Sequence, residues 1–202
     1  MSDSAHRKGR RGKGLFPPNP KQWGNERNGL DLRSALGCPL DSALPHESAF
    51  ALLPNVTVLP HGELLVAQEH IDYFRGVRAG SWSGMAVPFD DGSVLVLYND
   101  AHPVTRTRAT LMEEFFHLRL GHPPTKVRVY QNENGGRSHD PEIESAAYGS
   151  GAAALVPYAP LKKMVESGTP VSGVAGNFEV SPALVRFRLK VTFLYRKLRR
   201  GR

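Results

Sequence analysis

Hydrophobic positions along the chain gather into short runs separated by Gly, Pro and charge, and the spacing inside each run predicts an element. Asn55-Val56-Thr57-Val58-Leu59 reads as a strand closed by Pro60, and Leu64 to Phe74, with apolar Leu64, Leu65, Ile71 and Phe74, as a helix. Gly84 to Pro88 and Val94-Leu95-Val96-Leu97-Tyr98 flank Asp90-Asp91-Gly92, which predicts a hairpin. The second of these strands is apolar at every position, so cover on both faces is expected. A helix should start after His102-Pro103 with Thr105 as its cap, facing the core through Leu111, Phe115 and Leu118 and stopping at Gly121.

Downstream, Glu142 to Leu155 predicts a helix of small residues, whose Ala and Gly content lets another backbone approach closely. That composition suits packing against the central helix, and Val156-Pro157 ends it. Leu161 to Val165 adds a helical turn, and Val171 to Phe178 a short helix. Ser181-Pro182 is a strong start for a last helix, with serine capping and proline fitting the first position. Leu184, Phe187, Val191, Leu194 and Leu198 then form one apolar stripe, with Arg186, Lys190 and Lys197 off it. The last two helices outline a helix-turn-helix; a helical cap packed on the domain fits the same pattern. Residues 1–49 differ. Gly, Pro, Asn and charge dominate through Pro17-Pro18-Asn19-Pro20, and no periodicity is sustained beyond a short helical piece near Leu30 to Leu36. A flexible arm is the expectation there. The resulting division is an arm over 1–49, a main domain over 50–166, and a basic helical segment over 167–202.

Composition narrows the classes. At 202 residues the chain suits one domain with a real core. It contains no run of about eighteen apolar residues, so no membrane span is expected. The start is polar and basic, without the apolar stretch of a secretory signal. Cys38 is the single cysteine, which excludes a disulfide framework and any Cys-rich zinc module. A cytoplasmic protein is the expectation. The net charge of +7 is uneven, because residues 186–202 hold eight Lys or Arg and no acid, and residues 1–14 hold five against Asp3. Those ends are candidates for phosphate contacts with nucleic acid, or else solvated tails.

Candidate chemistry sits in Leu111-Met112-Glu113-Glu114-Phe115-Phe116-His117. Glu113 and His117 are four apart, so they project from one helix face. The zinc-peptidase pattern His-Glu-x-x-His places two histidine ligands at that spacing, with a glutamate general base beside the first. Here Glu114 holds the base position, His117 the second ligand position and Glu113 the first. Glutamate binds zinc through oxygen, so the site is altered rather than erased. An acidic surface pair beside a core-edge histidine is the plain alternative.

With Gly92 to Asn99, Arg106 to His117, Ala147 to Pro157 and Phe178 to Leu189 in that order, the chain resembles the ImmA/IrrE family of metallopeptidase-like proteins over about 55–198. The resemblance implies an α+β fold: a small zincin-like domain, a twisted sheet with its hairpin packed on the motif helix, and a C-terminal helix-turn-helix-like piece. It implies a zinc site with Glu114 as base and His117 as ligand, and a protein substrate such as a helix-turn-helix repressor lying along the Gly84 to Tyr98 hairpin. Two family ligand positions are replaced, the first by Glu113 and the third by Ala146. Glu144 is two residues from the latter, a rotation of about 200°, and is expected to point away. His122 lies past the cap, about 140° around from His117; it approaches only if the chain turns back. Glu142, His139 and Asp140 are loop candidates without a geometric case. With so few ligands, zinc is expected to bind weakly or not at all. That count favours a non-hydrolytic regulatory or binding relative, with no membrane partner. A zinc endopeptidase and a decayed mobile-element protein are the alternatives.

Overall fold

The computed structural model describes residues 14–76, 80–123 and 140–195. The loop at 132–136, His139 and the expected helical continuation through 197 and 198 lie outside them. Eight helices and a three-stranded sheet make up the described fold, an α+β domain with a mixed sheet.

The organising element is a buried helix, α5 (Pro141–Leu155). Asp140 caps it by accepting the Glu142 N–H at 2.9 Å, and Pro141 occupies the first turn. From Ala147 to Leu155 nearly every residue is buried, yet almost all are Gly, Ala or Ser. This helix therefore contributes little volume and accepts neighbours at backbone distance. One neighbour is α1 (Trp23–Ala35). A Cβ on its Gly29 would lie 2.6 Å from the Ala154 nitrogen. The other is α4 (Val104–Arg119), the expected motif helix. There a Cβ on Gly151 would lie 3.0 Å from the Met112 carbonyl carbon and 3.2 Å from the Glu113 nitrogen.

The sheet covers the opposite side of α4. Strand β1 (Val56–Pro60) pairs in parallel with β3 (Val94–Tyr98), and β2 (Gly84–Pro88) pairs antiparallel with β3 through the hairpin. The order β1-β3-β2 makes the all-apolar strand central and leaves β2 at an edge, although in β3 only Val96 is fully buried. Between β1 and β2 lies α3 (Gln68–Arg75); before β1, α2 (His46–Ala49) packs on α4. After α5 come α6 (Tyr158–Glu166), α7 (Val171–Phe178) and α8 (Pro182–Val191). Ser181 caps α8, accepting from the Leu184 N–H at 3.2 Å.

Three local expectations are corrected. Residues 14–49 are not a flexible arm, since α1 lies in the core with Glu26 and Arg33 fully buried. It shows no apolar stripe because it docks through a glycine and buried ionic groups rather than through large hydrophobes. The motif helix begins at Val104 with Pro103 at its cap position, so Thr105 is inside it. Helix α8, expected to run on through Leu198, stops at Val191, just before Phe193 takes a left-handed φ of 62°. Leu184 and Leu194 of the expected stripe are buried and Phe187 packs on the core, but the buried face of the helix itself is Leu184, Val185, Arg188 and Leu189. An arginine at the centre of that face hid it from a hydrophobicity reading.

That arginine has a partner. Arg188 meets Glu26 at 2.5 Å with no side-chain surface exposed on either, and donates from Nε to the Val156 carbonyl at 2.9 Å. Glu26 also accepts the Tyr158 N–H at 2.6 Å. Arg33 binds the end of α5 from the other side, donating to the carbonyls of Ala154 at 2.6 Å and Leu155 at 3.3 Å. Cations at a helix C-terminus suit the dipole there. Arg188 is thus structural and is not among the cations available to phosphate. Replacing Glu26 by Ala strands the buried guanidinium, and a loss of about 3–5 kcal/mol is expected. Urea unfolding checks this; an unchanged midpoint would contradict the pair.

Candidate metal centre

Helix α4 presents Glu113, Glu114 and His117 toward a groove of about 660 Å³ between α4 and the edge strand β2. Its wall includes the strand residues 84–88, Arg106 at the entry of α4, and His122. The groove also receives Glu144, from the first turn of α5.

The expectation that Glu144 points away is overturned. Glu113, His117 and Glu144 each offer a ligand atom, and these atoms lie within 4.8 Å of one another. The Glu144 carboxylate reaches to 3.5 Å from His117 Nε2. Glu144, Ala147 and Gly151 stand at i, i+3 and i+7, so they share one face of α5. Gly151 is pressed against the α4 backbone at Met112 and Glu113, and the face it marks therefore carries Glu144 to the same helix. The spacing of small residues carries the signal, whereas the family resemblance places the third ligand position at Ala146. Asp140 caps α5, Glu142 is exposed, and neither joins the cluster.

His122 does come back. Gly121 adopts the left-handed φ of 66°, and the His122 N–H closes onto the His117 carbonyl at 2.9 Å while Gly121 N–H bonds Leu118 at 3.1 Å. This glycine-ended cap turns the chain over the end of α4. The His122 ring then stands edge-on to that of His117, with the two Nδ1 atoms 3.2 Å apart.

Electrostatics follow from burial. Loss of solvent, and then the nearby Glu144 charge, push the Glu113 carboxyl up to about 7. Burial holds the His117 imidazole below its ordinary range; Glu144 opposes this and His122 adds to it. Burial thus favours the neutral imidazole of His117, against the pull of the Glu144 carboxylate 3.5 Å away. A neutral imidazole and two carboxylates are the protonation states a divalent cation requires of its ligands, apart from the proton that Glu113 must release. The donor set is one nitrogen and two carboxylate oxygens, all of types that bind zinc. Extra carboxylate character also suits harder ions such as manganese. Among the described residues no hydrogen bond or ion pair satisfies the Glu113 carboxylate, which fits a place kept for a cation. The residues present fit the metal that the family resemblance implies.

The model of the family described as IrrE N-terminal-like domain matches residues 66–190. The match runs from α3 to α8 and takes in every residue of the cluster and the groove wall. No curated protein and no solved structure matched. No helix among the described residues is long and apolar enough to cross a membrane.

Between the ordinary carboxylate value of 4.5 and about 7, the folded chain holds more protons at Glu113 than the unfolded chain does. Stability of the metal-free protein should therefore fall as pH rises through that window and level off above it. Glu113→Gln is expected to flatten this slope and to stabilise the metal-free protein by on the order of 1–3 kcal/mol at about pH 8. Urea titrations at about pH 5 and pH 8 measure both; an unchanged slope counts against a buried, uncompensated carboxyl.

Proposed function

The chain belongs to the family of the IrrE N-terminal-like domain, and from that premise we propose that it is a metal-dependent peptidase whose ligands are Glu113, His117 and Glu144. The observation that carries this reading is the arrival of Glu144 beside Glu113 and His117, with Glu114 on the wall of the same groove. Three side-chain ligands with room left for a water or substrate is the arrangement of catalytic rather than structural zinc. A bound zinc or similar divalent ion would supply Lewis acidity, polarising a carbonyl and lowering the pKa of a water.

The chain's own residues account for the rest. The Glu114 carboxylate takes the proton of the water that attacks the scissile carbonyl carbon. It then delivers that proton to the amide nitrogen as the C–N bond breaks. The edge strand β2 offers its outer backbone groups to an extended peptide, which would add as a further strand beside the groove. A segment of a helix-turn-helix repressor is a substrate of this shape. The preference for a non-hydrolytic relative rested on a missing third ligand at Ala146, and Glu144 removes that ground. One observation still favours it as the second reading: Glu113, raised to about 7, must give up a proton before a cation enters. In that reading the groove binds a protein segment without cutting it.

Zinc content and peptide cleavage separate the two. Wild-type protein is expected to hold one zinc per chain, lost in Glu113→Ala, His117→Ala and Glu144→Ala. Glu114→Gln should retain the metal while cleavage of an unfolded protein substrate drops about 10²–10⁴-fold. Zinc content indifferent to Glu144→Ala overturns the ligand assignment, and a zinc-loaded wild type that cleaves nothing favours the second reading.

A further inference from the structure

Within the proposed metal centre, His117 has two ring nitrogens and two different neighbours. Nε2 faces the carboxylate of Glu144 at 3.5 Å, and Nδ1 faces Nδ1 of His122 at 3.2 Å. A neutral imidazole carries one proton. If Nε2 is to present a lone pair toward Glu113 and Glu144, that proton must sit on Nδ1 and needs an acceptor. Metal-binding histidines usually find this acceptor in a carboxylate or a backbone carbonyl. At His117 it is another imidazole.

We propose that His122 is the positioning residue of this centre: its Nδ1 accepts the Nδ1–H of His117, fixing the ring and the tautomer so that Nε2 is turned to the ligand cluster. The reach is built into the fold. Gly121 at φ 66° and the His122 N–H bond to the His117 carbonyl at 2.9 Å return residue 122 over the last turn of α4. The edge-to-face contact of the rings, at 5.1 Å and 74°, then leaves little freedom to either. His122 is not itself a ligand, since the atoms that converge come from Glu113, His117 and Glu144. The pairing requires the His122 tautomer with its proton on Nε2, in which Nδ1 is an acceptor.

This inference rests on the metal-centre reading, and its test keeps the two apart. Zinc alone is titrated against a chromophoric chelator in wild type, His122→Ala, His122→Phe and His122→Asn. Asn places an amide oxygen near the position of Nδ1, so it keeps an acceptor, whereas Phe keeps the ring and loses it. Zinc affinity is expected to fall about 10–100-fold in the Ala and Phe variants and to be largely retained in Asn. Melting temperatures of the metal-free variants report any loss of fold, which a positioning role does not require. Affinity unchanged in Phe overturns the proposal. A loss in Asn as large as in Ala also overturns it, because the imidazole itself is then needed. Nitrogen-15 spectra of the metal-free wild type give a second readout, the coupling across an N–H···N bond between the two Nδ1 atoms. Its presence supports the pairing and its absence overturns it. A wild type that takes up no zinc sinks the metal-centre reading, and this coupling then decides the pairing alone.

Discussion

Everything in this fold depends on how closely two helices approach α5. Between Ala147 and Leu155 that helix is buried on nearly all sides while carrying almost no side-chain volume. Its neighbours therefore meet it backbone to backbone, at Gly29 on one flank and Gly151 on the other. Dispersion contacts over such a surface are individually small, but they are numerous and intolerant of added atoms. The reward is positional precision. A helix that cannot slide or rotate delivers Glu144 to one place on α4, and the candidate site exists only because of that delivery.

Charge inside the core serves the same end. Glu26, Arg33 and Arg188 surround the passage from α5 into α6, joining a helix near the start of the chain to one near its end. Arg108 does similar work at α4, donating to the Leu44 carbonyl at 2.8 Å and meeting Glu179 at 3.1 Å. A buried ion pair adds little net stability compared with well-packed hydrophobes, because desolvation offsets the attraction. What such groups do is penalise every arrangement in which they lose their partners. Small residues alone would leave α5 a smooth rod, whereas Arg33 and Arg188 hold its carboxyl end and so set its register.

The candidate site uses burial in the opposite sense. Two carboxylates are placed where solvent cannot fully separate them, and one of them is pushed up to about 7 as a result. Such a cluster is a local cost to the metal-free fold, and a cation would relieve it. The His117–His122 pair extends this arrangement away from the carboxylates, outward along the capped end of α4. The groove runs beside it along the edge strand β2.

Local chemistry made much of this legible from residues alone. The hairpin at Gly84–Pro88 and Val94–Tyr98, the helix from Val171 to Phe178 and the start at Ser181-Pro182 all follow from turn residues, caps and short-range periodicity. Glu113, Glu114 and His117 were equally readable, since residues within two turns of one helix have fixed relative directions. Three things were not. The packing of α1 needed Gly29 and a buried ion pair, neither of which has a hydrophobic period. The buried face of α8 needed a partner for Arg188, which a hydrophobic period does not reveal. The third member of the cluster needed the rotation of α5 about its own axis, and a helix of small residues carries no large side chain to announce which face is inward. Sequence by itself determined the hairpin, the helix starts named above and the α4 half of the site, because these are set over distances of a few residues. Only the tertiary structure decided that Glu144 and His122 meet His117, because that depends on how two helices lock together and how one glycine turns the chain back.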